Sequence, residues 1–98
     1  MMNQLVLIGR VLETRKEDKG AVLTIATQQS FKNMDGEYDT NFFDIRLFGG
    51  VADNTLEYIK KGDLVGIKGR IQRLNTQKSV EIIAERLTFL SSTKKYEE

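Results

Sequence analysis

Apolar and polar residues alternate in step along most of this chain, and one short stretch in the middle breaks the rhythm. In Phe42-Phe43-Asp44-Ile45-Arg46-Leu47-Phe48, strand geometry sends Phe43, Ile45 and Leu47 to one face and Phe42, Asp44, Arg46 and Phe48 to the other. The first set reads as core. The second mixes rings with charge, which suits stacking on bases beside a phosphate backbone. Packing beneath a loop or against another subunit accounts for rings in these places equally well.

The same alternation predicts the rest of the chain. Gln4 to Glu13 reads as a strand, with a bend or bulge at Gly9. The charged run Glu13 to Gly20 reads as a turn, and Ala21 to Ser30 as a second strand that becomes more exposed. Asp35-Gly36, between β-type segments, signals a hairpin. Thr40 to Phe48 is the third strand. After Gly49-Gly50 the period changes: Ala52, Leu56 and Ile59 recur at helical spacing, predicting a helix over Val51 to Lys61 that ends near Gly62. Asp63 to Leu74 alternates again, with Val65, Ile67, Gly69 and Ile71 inward and Lys68, Arg70 and Gln72 outward. Asn75 to Lys78 makes a tight connection to a last strand, Ser79 to Leu90, and Ser91 to Glu98 forms a short polar end. Three strands, a helix and two strands predict an all-β fold: one domain over residues 1–90, a five-stranded, partly open Greek-key barrel of the OB-fold type. One isolated helix cannot cover a parallel sheet, and strand alternation excludes a helical bundle.

Composition narrows the chemistry. The 98 residues include no Cys and no His, which removes disulfides, zinc sites of the usual N/S kind and His-assisted nucleophiles. No apolar run reaches membrane-spanning length, and Leu5 to Ile8 is too short for the apolar stretch of a secretory signal. A cytoplasmic, nucleoid-associated protein without membrane contact is expected. Fifteen Lys and Arg against fourteen Asp and Glu leave a net charge of +1, but Lys60 to Arg73 holds five cations and only one acid, Asp63. A nearly neutral protein can still present one basic groove.

Candidate catalytic and metal sites fail on spacing. Asn33, Asp35, Glu37 and Asp39 lack the glycine and glutamate positions of a calcium loop. Glu81 and Glu85 fit the polar alternation of a half-exposed strand, and neither Gly49-Gly50 nor Gly62-Asp63 leads into a phosphate-cradling Gly-Lys-Ser/Thr. No cofactor, no metal and no catalysis are expected. The barrel instead gathers rings and cations. Phe42, Arg46 and Phe48 share a face of the third strand, Lys68 and Arg70 share one of the fourth, Arg10 follows the glycine bend, and Phe31 stands at the mouth of the hairpin loop. Lys68 and Arg70 also fit a solvated face that discourages edge aggregation.

Four blocks in order carry a family likeness: Asn3 to Leu12, Phe31 to Asp39, Phe42 to Gly49 and Tyr58 to Ile71. Together they resemble the bacterial-type single-stranded DNA-binding proteins over about nine-tenths of the chain. The resemblance implies a homo-oligomer, a tetramer before a dimer, that coats single-stranded DNA in replication, recombination and repair without catalysis. It implies base stacking on Phe31 and Phe42, a third ring near the DNA at Phe48, and phosphate contacts from Arg10, Lys32, Arg46, Lys68, Arg70 and Arg73. Two departures stand out. The connection Leu74 to Lys78 is shorter than the family's long hairpin, with Thr76 near the place of a further stacking ring. The family's acidic tail, which recruits other replication proteins, has no counterpart at Lys94-Lys95-Tyr96-Glu97-Glu98. An alternative keeps the fold but assigns it another role, that of a replication adaptor resembling primosomal replication protein N and acting through protein contacts.

Overall fold

The computed structural model describes residues 1–73, 75, 76 and 78–91. Leu74 and Gln77 of the expected tight connection, and the polar end from Ser92 onward, lie outside the described residues. Five strands and one helix follow in the predicted order: β1 (Leu5–Glu17), β2 (Gly20–Lys32), β3 (Tyr38–Leu47), α1 (Gly49–Tyr58), β4 (Leu64–Gln72) and β5 (Glu81–Ser91). The strands close into a barrel in the order β1-β2-β3-β5-β4, an OB-fold barrel that is shut where the sequence suggested a gap.

Closure depends on β1 serving two neighbours. Leu5 to Arg10 pair with β4, and Arg10 to Glu17 pair with β2. Alternate residues of each strand then meet inside, where Leu23, Ile25, Ile45, Leu47, Val65 and Ile67 are sealed from water, with Val11, Ala21, Ala52 and Ala84 beside them. Phe43, Leu56 and Ile59 pack against this cluster from its margin, so the inward set of β3 and the helical stripe are as the periodicity predicts. Thr55, also buried, completes the stripe. The narrowest seam is the parallel contact of β3 with β5, where the ladder contains only Ile45 with Ile82 and Arg46 with Ile83.

Three local expectations change. The strand continues through Thr14 to Glu17, leaving only Asp18-Lys19 as the turn, because Thr14, Arg15, Lys16 and Glu17 pair in unbroken register with Leu23, Val22, Ala21 and Gly20 of β2. Gly9 is not bulged: the register passes through it unbroken, and the shift falls at Leu12, between Val11 and Glu13. A Cβ at Gly9 would stand 2.7 Å from the Ala26 carbonyl oxygen, so the missing side chain is what lets β2 cross closely as β1 changes partner. Ile71 keeps its inward parity, opposite Ile82, but is 44% exposed instead of buried. There β4 runs past the start of β1, and the Asn3 side chain replaces the missing strand: its Oδ1 accepts from Ile71 N at 3.1 Å and its Nδ2 donates to Ile71 O at 2.6 Å.

Gly69 marks another close crossing. A Cβ there would lie 2.1 Å from the backbone oxygen of Ile83, whereas one at Gly50 would meet nothing within 4 Å. Gly69→Ala is therefore expected to cost roughly 1–3 kcal/mol, the range for forcing atoms into packed space, and Gly50→Ala to cost nothing measurable. Paired thermal melts check this contrast.

Candidate nucleic-acid interface

The outer wall of β1, β2 and β3 is built in rows, because residues directly opposite each other in an antiparallel pair project to the same side. Arg10 pairs with Ala26, and Ala26 pairs with Phe42. Between the guanidinium and the ring the wall is only a methyl high, and Phe42 stands 62% exposed over it. Arg10 Nη1 donates to the Gly62 carbonyl at 3.1 Å, on the β4 side of β1, and meets no carboxylate among the described residues. One row further down, Thr24 Oγ1 donates to Asp44 Oδ1 at 2.6 Å opposite Glu13, an acidic patch that repels a phosphate chain.

In the other direction β2 and β3 rise from the barrel as an arm. The register shifts between Gln28 and Lys32, so Gln29 to Phe31 form a bulge that leaves Phe31 77% exposed. The Asp35-Gly36 turn forms as the sequence predicts, with Gly36 at φ +80° and its N–H donating to Asn33 O. Asn33 organises the tip: its Oδ1 accepts from the N–H groups of Asp35 and Glu37, and its Nδ2 donates to Asp39. The polar cluster considered for a metal is thus tied up in its own turn. Below the tip, Lys32 pairs with Tyr38 and its Nζ lies 5.8 Å from the ring centroid.

The cations divide into two kinds. Arg15, Val22, Arg46, Ile83 and Arg70 form one row around the barrel's outside, and within it Val22 and Ile83 are 4% and 2% exposed although they face away from the main core. Each stands between arginines in the row, whose apolar stems are long enough to shield it. The guanidinium groups are held by carboxylates: Arg15 by Glu13, Arg46 by both Glu17 (3.2 Å) and Glu81 (3.3 Å), and Arg70 by Glu85 (3.2 Å). Arg46 and Glu81 reach across the narrow β3–β5 seam, so this pair staples the barrel shut. Among the described residues, Lys32, Lys68, Arg73 and Arg86 enter no ion pair. Lys68 stands on a second wall, in a row with Val6 and Arg86. Sequence periodicity did not single out Tyr38 or Arg86. Hairpin pairing opposite Lys32 reveals the first, and pairing opposite Lys68 the second.

Phe31 and Phe42 therefore share one arm, with Arg10 and Lys32 beside them. Phe48 stands apart, at the start of α1 and six residues, or about 20 Å of strand, from Phe42. A concavity of about 570 Å³ lies between α1 and β5, lined by Val51, Tyr58, Ile59, Leu87 and Phe89 among others, on elements other than the Arg10–Ala26–Phe42 row. An open wall with rings and cations, more than an enclosed pocket, is what a flexible polyanion requires.

Residues 2–90 match the model of the single-strand binding protein family. The chain belongs to that family. It is 35% identical to single-stranded DNA-binding protein 3 of Listeria innocua, over 94% of this chain and 66% of that protein, and 33% identical to single-stranded DNA-binding protein B of Bacillus subtilis, over 92% and 91%. The mitochondrial single-stranded DNA binding protein of S. cerevisiae shares the fold with a TM-score of 0.72 at 22% identity, covering 93% of this chain and 98% of its own. A Plasmodium falciparum SSB in complex with ssDNA does so with a TM-score of 0.69 at 23% identity, covering 93% and 97%. This member of the single-strand binding protein family thus shares its overall fold with both structures, and the family match spans the segment that carries Phe31 and Phe42.

If Arg46 is chiefly a staple, its removal should be felt in stability. Arg46→Ala uncovers Val22 and Ile83 and leaves Glu17 and Glu81 facing each other. At about 40% side-chain exposure the charge contribution is small, and the combined loss is expected to be about 1 kcal/mol, a fall in Tm of roughly 4–8 °C. Calorimetry or a circular dichroism melt measures it.

Proposed function

We propose that this protein binds and coats single-stranded DNA without sequence preference and without catalysis, serving replication, recombination or repair in the cytoplasm. The exposed Phe42, standing between the uncovered charge of Arg10 and the arm that carries Phe31 and Lys32, is the observation that supports this most. Every base has a π-face, so a ring in this setting gains about 1–3 kcal/mol per stacked base whatever the sequence. Arg10 and Lys32 neutralise phosphates and release counterions as they do so. Lys68 and Arg73 extend the charge to neighbouring surface. Arg46 and Arg70 can join only by exchanging a carboxylate for a phosphate, and Phe48 only if the strand continues down the barrel. The relatives named above are single-stranded DNA-binding proteins, and nothing among them favours the adaptor reading.

Assembly into a homo-oligomer, a tetramer before a dimer, belongs to the same proposal. Val6 and Ile8 project from β1 beside the flat Gly66, and Leu90 lies 3.6 Å from where a Gly66 Cβ would be. This apolar strip on an outer wall suits burial against a second copy. Other replication proteins are further candidate partners.

Titration of an oligo-dT at two salt concentrations tests the binding. Affinity should fall steeply with salt, and Phe42→Ala should weaken it by about 1–3 kcal/mol with an unchanged melting curve. Absence of binding at low salt refutes the proposal, and a collapsed melting curve for the variant returns Phe42 to a packing role. Ile8→Glu is expected to lower the mass seen by light scattering, and an unchanged mass removes the apolar strip from the assembly.

A further inference from the structure

We infer that Tyr38 and Lys32 form an additional base-stacking subsite on the β2–β3 arm, one that takes a different nucleotide of the same single strand from Phe42. The inference rests on the binding function proposed for the wall and extends it to a residue that function does not yet use. Tyr38, Thr40 and Phe42 alternate onto one face of β3. Tyr38 is 46% exposed there and Phe42 62%. Four residues of strand separate the rings by about 14 Å, several times the ~3.4 Å rise of stacked nucleotides, so one base cannot serve both. The floor between them is Thr40 paired with Gln28, polar but uncharged, and offers a strand no repulsion.

The pair is ready for a phosphate. Lys32 rests 5.8 Å from the ring centroid and is bound by no carboxylate among the described residues. A cation held only by a ring loses little on moving to a phosphate, because an exposed cation–π contact is worth about 0.5–1 kcal/mol. Asp39, next to Tyr38 in the chain, alternates to the opposite face of β3 and is occupied by Asn33 Nδ2 at 2.9 Å. The same asparagine fixes the turn through Asp35 N and Glu37 N, so the subsite is largely ordered before DNA arrives.

Oligo-dT binding by four variants tests this. Tyr38→Ala should weaken binding about 5- to 150-fold, as expected for one lost stack, while Tyr38→Phe binds as the parent does. Lys32→Ala should lower the slope of log affinity against log salt by about 1. In Tyr38→Trp the introduced indole should lose fluorescence as DNA saturates the protein, a readout that stands even if the alanine variant folds poorly. Unchanged affinity of a folded Tyr38→Ala, or an indole emission that DNA leaves unmoved, overturns the subsite. Phe42→Ala run alongside separates the two failures: if it is weakened while Tyr38→Ala is not, only the subsite is lost, and if both bind as the parent does, the binding wall itself is wrong.

Discussion

A one-residue slip of β3 against β2 would turn Ile45 and Leu47 out to water and drive Phe42 and Arg46 into the barrel. Ile45 and Leu47 are both fully buried, and each such side chain contributes about 1.5–3 kcal/mol by leaving water. That burial fixes the pairing of Ala26 with Phe42 and Val22 with Arg46. The outer wall is thus specified by the inner one. Phe42 is exposed because its neighbours in sequence are needed inside, and the small Ala26 beside it leaves the ring's surroundings flat.

Charge then divides this wall. Away from the arm, the arginines are matched with carboxylates and flank the buried Val22 and Ile83. Toward the arm, Arg10 and Lys32 keep their charge available. The same residue type serves two purposes, and the neighbours decide which. A guanidinium between two carboxylates near a weak seam holds the barrel together, while one anchored only to a backbone carbonyl keeps its field for a ligand.

Much of this is legible in the chain. Period-two alternation in Phe42 to Leu47 gives the inner and outer sets of β3, and Ala52, Leu56 and Ile59 give the helix. The Asp35-Gly36 turn gives the hairpin. The paired fates of the arginines are not legible, because strand alternation says that Arg46 and Arg70 face outward but not that Glu17, Glu81 and Glu85 arrive beside them from other strands. A signal was nevertheless present: Ala21-Val22-Leu23 and Ile82-Ile83-Ala84 are apolar without a break, the mark of strands covered on both faces. Gly9 illustrates the same limit. The sequence marks an irregular place, but only the approach of Ala26 shows that the need is for space. Tyr38 was hidden among turn residues until the pairing with Lys32 placed it on Phe42's face.

The central claim is that an unpaired strand lies along the β1–β2–β3 wall with a base on Phe42. The most direct measurement is a structure of the protein with oligo-dT bound. The expected result is a base plane parallel to the Phe42 ring at about 3.5–4.0 Å, with its phosphate passing Arg10. A strand bound in the concavity between α1 and β5, or on the β4–β5 wall with the Phe42 ring bare, contradicts it.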